Sequence, residues 1–218
     1  VALLHFGRSG TGLMHSLIDA HPEISTIPSI YLGGYFNEGI WEELSSGGIE
    51  HLVERFADKF AVLFDATSPN PVPSTEPEGL SQIGLREGMA NVGPNRDEIL
   101  KVDRNLFSDE ANRLLARSRK IGPEKFLQII HAAYECALGN SDHKKTLYYH
   151  VHNPGDYSRM NFLAHMPDVR LMFMIRRPVQ SLESWVRDSA NNNNYKELSV
   201  RIITMLFGID QIAFRRHD

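Results

Sequence analysis

The stretch "LLHFGRSGTGLMHSLIDAHPE", residues 3–23, constrains the fold most, because an apolar run meets three glycines within six positions and then a helical pattern. Val1 to Phe6 reads as a short buried strand, and Leu13, Leu17 and Ile18, with Met14 beside them, share one apolar face at helical spacing. The pattern predicts a strand over 1–6 and a helix over 11–20, with a sharp turn between them. Gly7, Gly10 and Gly12 permit positive φ and close approach to the backbone. Successive N–H groups from Ser9 to Leu13 can therefore converge on an anion at the helix N-terminus, and Arg8 adds a positive charge. Such a loop suits phosphate or sulfate oxygens.

Gly7 and Gly12 meet the outer spacing of G-x-x-x-x-G-K-[ST], but Leu13 and Met14 stand where the lysine and the Mg²⁺-binding hydroxyl belong. A kinase or ATPase uses both groups to handle a transferring phosphoryl. An NTP-using enzyme is therefore the weaker nucleotide reading, and a glycine turn without a ligand is the bland one.

A second stretch, "DVRLMFMIRRPVQSLESWVRD" at residues 168–188, predicts an apolar strand from Val169 to Ile175, then Arg176-Arg177-Pro178 and a helix carrying Ser181 and Ser184. An arginine at the carboxyl end of a parallel strand and a serine two turns into the next helix can converge on one phosphate. The bland alternative pairs that arginine with a surface carboxylate.

Together the two stretches resemble the sulfotransferases that use 3′-phosphoadenosine 5′-phosphosulfate (PAPS), closest to the protein-tyrosine and repeat-linked type. The family's R-S-G-T-x-L loop and following H-P are matched by Arg8-Ser9-Gly10-Thr11-Gly12-Leu13 and His21-Pro22. Its R-x-P strand end with a serine eight positions on is matched by Arg176, Pro178 and Ser184, inside "HMPDVRLMFMIRRP". The likeness covers the start and the last third of the chain, and residues 35–145 only by position. It implies a P-loop-like three-layer α/β/α domain with a mostly parallel central sheet, spanning 1–218 and lacking the C-terminal part of the family fold. It also implies that Arg8, Ser9, Gly10, Thr11, Gly12 and Leu13 hold the 5′-phosphosulfate, and that Arg176 and Ser184 hold the 3′-phosphate. PAPS would be the co-substrate, a hydroxyl or amine the acceptor, and no metal would be required.

The catalytic base is where the pattern departs. Relatives place a glutamate near the position of Ser29, which cannot take a proton from an acceptor at neutral pH. Glu38, in the Gly-rich stretch after it, is one candidate. His152 is another: in "TLYYHVHNPGDYS" His150 and His152 alternate along a predicted strand, and His152 stands where relatives carry a cationic lysine. These histidines read as a pocket-lining polar pair first, core histidines second, and metal ligands last, since no clear third ligand accompanies them. A nonenzymatic nucleotide- or partner-binding domain stays open beside the enzyme.

The chain of 218 residues, 42% hydrophobic and 23% charged, is enough for one α/β domain with a substantial core. A net charge of −4 argues against nonspecific nucleic-acid binding. Cys136 is the only cysteine, so no intrachain disulfide forms; a cytoplasmic location is expected, with the thiol buried in "FLQIIHAAYECAL". No run reaches the length of a membrane span, no leader pattern is seen, and the start at Val1 directly in a strand reads as a trimmed terminus.

Further expectations are a strand over 24–31, a helix from Ile49 to Phe60, a strand at "AVLFDA", and a Pro- and Gly-rich loop over 67–97 that shapes a pocket or wanders over the surface. Ser108 is expected to cap a helix beginning at Asp109, with Arg113, Arg117 and Arg119 on a solvated face. Helices follow over Pro123–Leu138, Asp156–His165, after the Arg176 strand through Arg187, and Leu198–Arg215. No repeat is present, and strands separated by helices predict a mostly parallel sheet.

Overall fold

The computed structural model describes residues 1–5, 9–19, 21–28, 32, 34–68, 89–140, 144–152, 156–174 and 177. Beyond these it describes 180, 183–184, 186–187, 198–200, 202–204, 206–207 and 210; the side chains of 152 and 156–159 are not described. In chain order the elements are β1 (Ala2–His5), α1 (Thr11–Ile18), β2 (Ile24–Ser25), α2 (Ile40–Ser45), α3 (Leu52–Lys59), α4 (Arg104–Ala116), α5 (Pro123–Ala137), β3 (Thr146–Leu147), β4 (Tyr149–His152), α6 (Asp156–His165) and β5 (Leu171–Met174).

The fold is mixed α/β around a small parallel sheet. β1 lies between β4 and β5, parallel to both, with His5 opposite His152 on one side and Met174 on the other. β2 pairs in parallel with β3. Tyr148 N–H donates to Ser25 O at 3.0 Å and Tyr149 N–H to Val1 O at 3.0 Å. Successive N–H groups of an extended chain point to opposite sides, so the run 146–152 holds β2 along one side and β1 along the other.

Alternation along β1 and β4 sorts the two faces of the sheet. Ala2, Leu4, Tyr149 and Val151 join the main core, where Phe162 of α6 stacks on Tyr149 at 5.4 Å. Leu3, His5 and His150 face the other way, and His15 of α1 meets His150 there. The main core is an aromatic cluster bounded by α3, α4 and α5. Phe56 stacks on Phe60 at 4.9 Å and meets Phe126 edge-on at 5.6 Å, while Phe64 meets Phe107 at 4.8 Å. Such pairs add about 0.5–1.5 kcal/mol each beyond area burial. Buried phenols are satisfied by main-chain oxygens: Tyr35 donates to Pro123 O at 2.9 Å, Tyr134 to Leu63 O at 2.6 Å and Tyr149 to Leu32 O at 2.8 Å.

Several local expectations are corrected. "AVLFDA" forms no strand: Ala61–Leu63 is a 3-10 turn, and only Asp65 bridges an extended segment, at Lys101. Its apolar residues are buried by the aromatic cluster rather than by a sheet. α4 starts at Arg104, four residues after Leu100 and well before Ser108, because the Asp103 carboxylate accepts from Asn105 N–H at 2.8 Å and Leu106 N–H at 3.1 Å. That start lets Phe107, Ala111 and Leu115 share a buried stripe. The strand expected over 24–31 is Ile24–Ser25, and the helix expected from Ile49 begins as a 3-10 turn before α3. Cys136 is exposed, since Tyr134 and Glu135 take the inward positions in the last turn of α5. α1 buries none of its residues fully, and Leu13 and Leu17 are 67% and 72% exposed.

α6 matches its expected span, and α5 runs from Pro123 as predicted, with proline in the first turn where a missing N–H costs nothing. Arg113 is exposed and pairs with Glu110 on the same helix. Residues 69–88, most of the expected Pro-rich loop, lie outside the described residues, as do 211–215 of the last expected helix; 198–200 and 202–204 are helical. Among the described residues no helix is long and apolar enough to cross a membrane.

Phe56 sits at the centre of the aromatic cluster, fully buried. Phe56→Ala is expected to lower the unfolding free energy by about 3–5 kcal/mol, read as a fall in the urea midpoint. Leu106→Ala, at a position of α4 that is 53% exposed, should change it by less than about 0.5 kcal/mol.

Candidate functional site

The turn between β1 and α1 is organised by glycine. Gly10 precedes the helix in the left-handed region, at φ 95°, and its carbonyl accepts the first helical bond from Met14 N–H at 3.2 Å. A side chain there would be strained by that φ. A Cβ on Gly10 would stand 3.6 Å from Met174 Cε, so the glycine turn lies against the end of β5. Among the described residues the buried Ser9 hydroxyl has no hydrogen-bond partner. With no acidic residue in the first turn of α1, the free N–H groups and this hydroxyl form an anion-compatible corner.

Of the residues singled out from sequence, Ser9, Gly10, Thr11, Gly12 and Leu13 are described, and they diverge. Thr11 and Gly12 line a cavity of about 730 Å³, whereas the Leu13 side chain points outward. Arg8, Arg176 and Ser29 lie outside the described residues. Ser184 is half-buried in the helical stretch after β5. Glu38 is exposed in the turn before α2 and does not line the cavity. His152 occupies the carboxyl end of β4, opposite His5, and its side chain lies outside the described set.

The cavity is walled on one side by the polar face of α1. Thr11, His15 and Asp19 follow one another at i, i+4 and i+8 and all face it. Opposite them stand the last turn of α5, with Tyr134 and Glu135, and Lys144. Ile24, Ile27, Met89 and Leu100 supply apolar wall. The charged groups are tied to neighbours: Thr26 Oγ1 donates to Asp19 Oδ1 at 2.6 Å, Asn140 Nδ2 donates to Glu135 Oε2 at 2.6 Å, and Lys144 Nζ donates to His21 O at 2.8 Å. Lys144 also approaches Glu135 at 3.9 Å.

His150 forms part of the same wall and heads a row of imidazoles. His15 Nδ1 lies 2.9 Å from His150 Nε2, and His150 Nδ1 lies 3.2 Å from His5 Nε2. Tyr148 packs edge-on against His150 at 5.0 Å. Burial pushes the Tyr148 phenol up to about 12, keeping it protonated. Burial also lowers the His15 pKa from the ordinary histidine value, and the Asp19 carboxylate opposes that only in part. The row runs nitrogen to nitrogen rather than converging on a point, and among the described residues no group of three or more His, Cys, Asp or Glu is arranged to hold a metal.

Sequence reasoning found His150 as a pocket residue but missed His15 and His5. The signal for His15 was present as the polar stripe Thr11–His15–Asp19, opposite Leu13 and Leu17. It was outweighed by the apolar stripe. His5 reads only as the end of a buried strand until β4 is laid beside it.

Comparison of the chain with family models, with curated proteins and with solved structures returns no match.

Behind β2, Ser25 Oγ lies 2.8 Å from His131 Nδ1, and His131 Nε2 is buried without a partner. Burial lowers the His131 pKa to about 3. The unfolded chain therefore binds a proton at this residue that the folded chain refuses between about pH 6.5 and 3, so its contribution falls as pH falls. From pH 6.5 to 5 the loss is about 2 kcal/mol. His131→Asn should remove that increment, so that stability measured by urea unfolding declines less between pH 7 and 5 than in the wild type.

Proposed function

We propose that the protein is a PAPS-dependent sulfotransferase built on a P-loop-like three-layer α/β/α fold, moving a sulfuryl group to a hydroxyl or amine acceptor by in-line displacement. The observation that carries the reading is that β1 and β5 end side by side at their carboxyl ends. β1 and β5 are parallel neighbours with His5 opposite Met174, and a Cβ on Gly10 would stand 3.6 Å from Met174 Cε. The glycine turn and the Arg176 segment thus start from adjacent strand ends, as binding of one bisphosphorylated nucleotide requires. Ligands of open α/β sheets bind outside the carboxyl ends of the strands.

On this reading the N–H groups of residues 9–13, the Ser9 hydroxyl and Arg8 take the 5′-phosphosulfate, and Arg176 with Ser184 takes the 3′-phosphate. A sulfuryl group carries less charge than a phosphoryl group. Main-chain donors and guanidinium groups can then stabilise its transition state without the lysine and metal of an NTPase. The absence of a Walker lysine at Leu13, whose side chain is 67% exposed, agrees with that chemistry. The acceptor enters by the 730 Å³ cavity, which reaches the first turn of α1 at Thr11 and Gly12.

Titration calorimetry should register adenosine 3′,5′-bisphosphate without Mg²⁺ and show no comparable binding of ATP with Mg²⁺. Arg176→Ala is expected to weaken the bisphosphate by about 10- to 100-fold, the usual effect of losing a charge-assisted hydrogen bond. Equal or tighter binding of ATP with Mg²⁺ overturns the assignment.

A further inference from the structure

The geometry points to His15 as the base that takes the acceptor proton, with His150 and His5 as a buried imidazole row that fixes its tautomer. This rests on the sulfuryl-transfer reading and adds the residue that reading lacks. His15 lines the cavity one helical turn from Thr11, so a hydroxyl bound beside the proposed sulfuryl site lies within reach of its ring.

The row couples the protons of the three rings. For His15 Nε2 to accept, Nδ1 must carry hydrogen and donate to His150 Nε2, 2.9 Å away. His150 then carries its hydrogen on Nδ1 and donates to His5 Nε2 at 3.2 Å. Both contacts are also met in the reverse direction, which would put hydrogen on His15 Nε2; the proposed role requires the inward one. His5 and His150 are 1% and 3% exposed, whereas His15 stands at the cavity wall. Among the described residues nothing bonds His15 Nε2.

The groups facing His15 favour this division. Asp19, on its own helix, attracts the imidazolium once formed. His150 and Tyr148 pack against it from the β4 side, and burial keeps the Tyr148 phenol protonated. Across the cavity the Tyr134 phenol is pushed up by burial, and Glu135 and Lys144 offset each other. A neutral imidazole at pH 7 follows from the lowered pKa of His15.

The step balances without a further reactant. The acceptor O–H gives its proton to His15 Nε2 as its oxygen forms a bond to sulfur. The bond from sulfur to the bridging phosphate oxygen breaks, and that oxygen leaves with the electron pair on adenosine 3′,5′-bisphosphate. His15 then returns its proton to solvent.

His15→Gln, His150→Gln and His150→Phe test this with [³⁵S]PAPS and two acceptors, 2-phenylethanol and 4-nitrophenol, the second already largely ionised in mildly alkaline buffer. His15→Gln should lower kcat for the alcohol by about 10²- to 10⁴-fold. It should affect the ionised phenol far less and leave bisphosphate binding intact, and imidazole should partly restore His15→Gly. The wild-type rate should rise through a midpoint below pH 6.5, matched by the His15 ring titration in NMR spectra of the nucleotide-free protein. His150→Phe should move that midpoint and His150→Gln largely restore it. An unchanged alcohol rate in His15→Gln, or no transfer to either acceptor by a protein that binds the bisphosphate, overturns the role of His15 and leaves the donor site standing. No bisphosphate binding by the wild type overturns the donor reading and this inference with it.

Discussion

Parallel pairing of a four-residue strand on both its edges is the constraint from which the rest of the structure follows. β1 is almost wholly inaccessible, from Ala2 to His5, and each residue has a register partner in β4 and in β5. Strands enclosed in this way read as nearly continuous apolar runs. His5 breaks that run at its last position. Its ring has to find polar neighbours inside the protein, and His150, one strand over on the same face, is one of them. The same pairing sets the end of β1 at His5 beside the end of β5 at Met174.

α1 shows how that constraint propagates. Its apolar residues Leu13 and Leu17 are turned outward and its polar row inward, against the imidazoles. Exposing a leucine forfeits about 1.5–3 kcal/mol, and an unsatisfied buried polar group costs about 1–3 kcal/mol. The two costs are of similar size, so energy of burial alone does not choose the face. The backbone does: left-handed Gly10 fixes where the first turn begins, and that phase sends Thr11, His15 and Asp19 toward β4 and the cavity.

What the sequence revealed follows from how local each signal is. β1, α5 and α6 are specified by short periodic runs and a proline in the first turn, and they stand close to where the pattern puts them. Asp103 outranks Ser108 as a cap because its position lets Phe107, Ala111 and Leu115 meet the aromatic cluster, a condition set by distant residues. "AVLFDA" has strand composition but no sheet edge beside it, so its residues are buried in a turn. The glycine turn was legible because left-handed backbone needs glycine. His15 was not, because its importance depends on β4, 135 residues away from it at His150. Arg8 and Arg176, central to the sequence argument, lie outside the described residues.

The choice of base also has a charge argument on the proposed reading. A carboxylate beside an anionic phosphosulfate would be raised in pKa by repulsion and would lose its charge when it accepted the proton. A neutral imidazole brings no repulsion to the bound donor and becomes positive as negative charge moves to the departing phosphate oxygen. Charge of the right sign then appears where and when it lowers the barrier. Glu38, exposed and away from the cavity wall, lacks that placement. The buried row behind His15 adds what a solitary surface histidine lacks, a partner for Nδ1 at 2.9 Å that leaves Nε2 turned to the acceptor's proton when Nδ1 donates.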